Sequence, residues 1–142
     1  MTELPEARLG DPTDAGNREI DRRNAPLRTE IRLVRGGVGN ADAFRRALRE
    51  SVLYVLPWND DDLMCADQGG IRWVYAFTSA LNVAAYALAR GARPDVPVDY
   101  LTVRADRLLD EAVPALGVPA GLAIDIGSEQ PMLVPALPEA VA

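Results

Sequence analysis

Between Ile71 and Gly91 the hydrophobic period changes from two residues to three or four within one unbroken stretch. Ile71, Trp73, Tyr75 and Phe77 alternate with Arg72, Val74 and Ala76, which is the pattern of a strand with unlike faces. Thr78 and Ser79 supply capping side chains, residues 80–90 are rich in alanine, and Gly91 supplies a left-handed stop. A strand feeding directly into a closely packing helix points to a sheet with helices laid on it. The spacing predicts that Ile71, Trp73, Tyr75 and Phe77 face the core, and that Leu81, Ala84, Ala85 and Leu88 form the helix stripe that meets it.

Residues 52–58 are β-branched, aromatic and apolar on both sides, as in a strand inside a sheet. Residues 63–66 read as a short strand between two polar turns, which makes a three-stranded meander with residues 71–77. Upstream, Asn24 is placed to cap a helix with Pro26 near its start and Leu27, Ile31 and Val34 on one face, ended by Gly36-Gly37. Asn40 caps a second helix carrying Phe44, Ala47 and Leu48. Downstream come a strand at 100–103, a helix at 105–112, a strand at 122–126, a last strand at 132–134 and a helical turn begun by Pro138. Residues 1–23 have little apolar periodicity and read as a disordered tail. The expectation is therefore an α+β fold over residues 24–142, a single domain. Its mixed or antiparallel sheet has about five strands, with helices mainly on one face.

The chain has 142 residues, 49% of them hydrophobic, which suffices for one core. A single cysteine, Cys65, allows no internal disulfide, no run of apolar residues is long enough to span a bilayer, and no leader pattern is evident. These features place the protein in the cytoplasm, away from membranes. All 15 basic residues are arginine. Residues 1–39 balance 7 acids with 7 arginines, while residues 40–142 carry 14 acids and 8 arginines, so the net charge of −6 sits in the body. An acidic body repels a phosphate backbone, and the arginines at 18, 22, 23, 28, 32 and 35 are interleaved with Glu19, Asp21 and Glu30, so nucleic acid is not an expected partner.

The chain contains no histidine, which excludes Ser-His-Asp and Cys-His arrangements and histidine-bearing metal sites. Cys65 lies between Met64 and Ala66 and reads as a buried structural thiol. The run Asp60-Asp61-Asp62 with Asp67 lacks the alternating ligands and terminal glutamate of a calcium loop, and hydrated turns favour such residues anyway. The Gly36-Gly37-Val38-Gly39 stretch matches no phosphate-binding spacing. No cofactor is expected. Asp125, Ser128 and Glu129 form the most polar corner of the body. Tyr54 and Trp58 are the aromatics of a strand that shows apolar atoms on both sides, and such residues anchor many interfaces. The candidate binding residues are Tyr54, Trp58, Arg72, Ser128 and Glu129.

From residue 43 to residue 140 the order of elements resembles the N-terminal domain of the SseB family. The likeness is carried by Phe44 to Ser51 running straight into Val52-Leu53-Tyr54-Val55, by Ala76-Phe77-Thr78-Ser79 entering an alanine-rich helix, and by residues 122–126 followed by Gly127-Ser128. Family members show Asn-Pro-Gly-Ser where this chain has Asp125-Ile126-Gly127-Ser128, and longer relatives carry a second domain. The resemblance implies a fold and no catalytic residues or cofactor. The reading is a non-enzymatic protein-binding, adaptor or regulatory domain that recognises another cytoplasmic protein through a sheet face or edge. Two alternatives stand beside it. One is a small-molecule-binding or weakly catalytic domain using the Asp125, Ser128, Glu129 corner, tied to amino-acid metabolism as the family name hints. The other is an immunity-type inhibitor of a basic target.

Overall fold

The computed structural model describes residues 6–9, 15–58 and 62–135. Strand β1 (Glu6–Leu9) and helices α1 (Ala15–Arg23), α2 (Ala25–Arg35) and α3 (Ala41–Arg49) precede β2 (Val52–Val55), β3 (Cys65–Gln68) and β4 (Ile71–Phe77). Helix α4 (Ala80–Ala89), β5 (Val98–Arg104) and the short α5 (Ala105–Arg107) follow. Helix α5 runs into a π-helical turn at Leu108–Ala112 and a 3-10 turn at Pro114–Leu116, before β6 (Ala120–Ile124) and β7 (Met132–Pro135). The fold is α+β with one mixed sheet in the order β1-β5-β2-β4-β6-β7, and β3 pairs with β4 beside β2. The pairing is antiparallel except between β4 and β6.

The sheet is wider than expected because the N-terminal segment adds a strand, while the expected last strand is present as β7. Residues 6–9, read as part of a disordered tail, pair with β5, and residues 15–23 form a helix. The sparse apolar pattern there misled because α1 is anchored mainly by polar groups. Asn17 is buried against two tyrosine hydroxyls, and Ile20 adds an apolar contact. The expected meander is also modified. β2 pairs directly with β4 at Tyr54↔Phe77 and Val55↔Ala76, and β3 occupies the other half of the same edge. The Pro138 turn lies outside the described residues.

The crossover from β4 through α4 to β5 travels one way across the sheet, and the crossover from β5 through α5 to β6 travels back. Connections of one hand then put their helices on opposite faces. On one face α2, α3 and the α5 turn cover an aliphatic core that includes Leu53, Val55, Val74, Val103, Leu122 and Ile124. On the other, α4 and Ile20 of α1 cover Tyr54, Phe77 and Tyr100. Strand β2, apolar on both sides, lies inside the sheet as its sequence requires.

Helix α4 turns a different face inward from the one its leucines suggested. Ala80, Val83 and Tyr86 are buried, whereas Leu81 is 65% exposed and Leu88 is 48% exposed. The helix is apolar nearly all round, so its period does not choose a face. Tyr86 chooses it by packing against Tyr75 and Phe77, with ring centroids 5.6 and 5.3 Å away. Trp73 and Ile71 are only half-buried. Trp73 lies over Gly121, where an added Cβ would fall 2.9 Å from its ring and 2.5 Å from the Val134 carbonyl oxygen.

Candidate functional site

The sheet has two functional-looking ends of opposite character. At the end where β4 and β6 finish, helices α1 and α2 are nearly continuous: the Asn24 N–H donates to the Ile20 carbonyl and the Arg28 N–H to the Asn24 carbonyl. Asn17, Asp21, Asn24 and Arg28 therefore share one side of the helical rod, and that side is turned into the protein. Asn24, expected as a helix cap, makes no cap bond. Its side-chain amide donates to the carbonyls of Val52 (2.6 Å) and Thr78 (3.0 Å), and its oxygen accepts the Val52 N–H (2.9 Å). One buried amide thus ties the start of β2 to the end of β4.

Asp21 accepts from the Ala80 N–H at 3.2 Å, and its carboxylate lies 3.1 Å from the Tyr54 hydroxyl. Burial raises its pKa, against the opposing pull of those two donors and the Arg28 charge. Arg28 donates to the carbonyls of Thr78 (3.1 Å) and Asp21 (2.7 Å). Asp125 closes the junction from β6. It is 2% exposed and sits in the left-handed region at φ 55°. It accepts from both the N–H (2.8 Å) and the hydroxyl (2.7 Å) of Thr78. Desolvation raises its pKa most; the Thr78 and Asn82 hydrogen bonds and the Arg28 charge counter it.

Next to this junction lies a cleft of about 510 Å³ whose walls include Arg28, Arg32, Asn82, Asp125, Ser128 and Glu129. The structure thus brings Ser128 and Glu129 together with Asp125, as the sequence suggested. The Ser128 hydroxyl donates to the Asp125 carbonyl at 2.7 Å and accepts from the Gln130 N–H at 3.1 Å, so it organises the turn. Among the described residues no carboxylate receives the Ser128 proton, and the arrangement has the chemistry of a polar binding surface.

At the opposite end, beyond the last residue of β2 and the first of β5, a second cleft of about 470 Å³ is lined by Leu56, Pro57, Met64, Tyr86, Ala87 and Val98. Arg90 also lines it and holds its guanidinium 5.7 Å from the centre of the Tyr86 ring. Trp58, next in the chain to Pro57, is 68% exposed.

The other predicted site residues fall elsewhere. Tyr54 is fully buried, and its hydroxyl is spent on Asn17 and Asp21, so it is a core residue and not a surface anchor. Arg72 lies in the β3–β4 hairpin, where it pairs with Asp67 at 2.8 and 3.1 Å and holds that carboxyl below its usual range. Cys65, read as buried, is exposed, because β3 lies at the border of the sheet where its outward side meets solvent. Asp60 and Asp61 lie outside the described residues. Among the described residues no group of three or more acidic or cysteine side chains is placed to hold a metal, and no helix is long and apolar enough to cross a membrane.

Asn17, Asp21, Asn24 and Thr78 were not singled out as functional. The signal available was the four- and three-residue spacing of Asn17, Asp21, Asn24 and Arg28, a polar stripe alongside the apolar one of Ile20, Leu27 and Ile31. Compared with protein-family models, curated proteins and solved structures, the chain matches none of them.

Proposed function

We propose that this chain is a protein-binding, adaptor-type domain of the SseB kind, which takes an apolar side chain of another cytoplasmic protein into the cleft beside Trp58. The observation that carries this reading is the exposure of Trp58, which directly follows Pro57 of the wall of a largely apolar cleft. A tryptophan left 68% in water contributes little to the fold, and tryptophan is the residue type most often found at the energetic centre of an interface. The outward leucines of α4, Leu81 and Leu88, add to the exposed apolar surface. The net charge of −6 argues against a nucleic-acid partner.

The only cysteine, Cys65, is exposed and follows Met64 of the cleft wall, which makes it a unique attachment point for a thiol-linked photocrosslinker. Crosslinking in lysate of the source organism, read by mass spectrometry, is expected to give a defined partner that is lost in Trp58→Ala. Crosslinks that are unchanged by Trp58→Ala would refute the assignment.

A further inference from the structure

The polar stripe of α1 and α2 does not stop at Arg28 but continues through Arg32 and Arg35, always three or four residues on. Nearly every member is engaged by the protein. Asn17 meets the Tyr54 and Tyr100 hydroxyls, and Asp21 and Asn24 bond to the chain at Ala80, Val52 and Thr78. Arg28 bonds to Thr78 and Asp21, and Arg35 donates to the Pro131 carbonyl at 2.7 Å. The Arg32 guanidinium is the exception: among the described residues it makes no hydrogen bond or ion pair, and it lines the polar cleft. Glu129 lines the same cleft and is likewise without a hydrogen bond or ion pair among the described residues.

Two opposite charges in one cleft therefore remain apart instead of pairing. The other charges in its walls are already committed: Arg28 to two carbonyls, and both Asp125 oxygens to Thr78. Arg32 and Glu129 present one positive and one negative group to whatever enters, with no net charge between them. A purely anionic ligand would satisfy Arg32 and be repelled by Glu129, and a cation would meet the reverse. At about 510 Å³ the cleft is of small-molecule size, within the roughly 300–1,000 Å³ usual for such sites. We propose that this cleft binds a small zwitterion, with its anionic group on Arg32 and its ammonium group on Glu129.

The test is an NMR titration of the full chain with glycine, β-alanine and 4-aminobutyrate, whose charge separations increase in that order. Butyrate and butylamine serve as single-charge controls. At least one of the three zwitterions is expected to produce saturable shifts at the Gly127, Ser128 and Gln130 amides. Binding should weaken about tenfold or more for each control and in each of Arg32→Gln and Glu129→Gln, as the loss of a charge-assisted bond requires. Both substitutions are at exposed side chains that make no hydrogen bond or ion pair among the described residues, so each variant is expected to fold as the wild type does. No saturable shift with any of the three, controls that bind as well as the zwitterions, or affinity unchanged in either variant would overturn the proposal.

Discussion

The two ends of the sheet close in opposite ways. Where β4 and β6 finish, backbone groups of Val52, Thr78 and Ala80 are met by side chains of α1 and of Asn24 at its junction with α2, and Asp125 locks the last turn to the first residue beyond β4. At the other end the apolar walls of Leu56, Pro57, Met64 and Val98 are left open, and Trp58, next in the chain to Pro57, stands in solvent. The polar end is costly to disturb, because each lost side chain strands a buried partner. The apolar end is cheap to disturb, because what is already in water loses little when removed. A surface the fold does not need is one that binding can use.

The sharpest way to break this contrast is Asn24→Ala. It removes the partner of the Val52 N–H and leaves the Val52 and Thr78 carbonyls short of a donor. A loss of about 3 kcal/mol is expected by urea denaturation, in line with the cost of unsatisfied buried polar groups. A loss below about 0.5 kcal/mol, the range of ordinary surface changes, would show that the junction contributes little.

A smaller effect is expected from pH. The folded pKa of Asp125 is raised above its ordinary 3.8, so the folded state binds the proton more tightly than the unfolded state. The contribution of this group to stability is fully present below 3.8 and is lost as pH rises through the raised folded value. The advantage of the wild type over Asp125→Asn should therefore be greatest at the acidic end and shrink with rising pH, in denaturation curves taken between about pH 3.5 and 7. Asp67, lowered by Arg72 in the β3–β4 hairpin, has the reverse sign: its contribution is present above 3.8 and is lost as pH falls through its folded value. An Asp125→Asn difference that grows with pH would contradict the assignment.

Much of this fold can be read from residues 52–77 because their chemistry admits one arrangement. A strand apolar on both sides, such as Val52–Val55, must lie inside a sheet with both faces covered, and it does. Helix α4 shows the converse. With Leu81, Ala84, Ala85 and Leu88 matched by Ala80, Val83 and Tyr86, two stripes compete, and only the aromatic contacts of Tyr86 decide between them. The candidate site divides in the same way. Asp125, Ser128 and Glu129 are neighbours in sequence and share a cleft, so local reading found them. Asn17, Asp21, Asn24 and Thr78 meet only through tertiary pairing across as many as 54 positions, and nothing local marks a buried asparagine in a helix as a strand clamp. Tyr54 and Trp58 belong to one apolar segment, yet Tyr54 is paired inside the sheet between β4 and β5 while Trp58 lies beyond the end of β2, and that pairing alone separates a core tyrosine from an exposed tryptophan.

The most direct test of the account is to measure Trp58→Ala twice, once for stability and once for partner crosslinking from Cys65. The account predicts an unfolding midpoint in urea that stays with the wild type, a change within about 0.5 kcal/mol, together with loss of the crosslinked partner. A destabilised protein, or a stable one that keeps its partner, would contradict it.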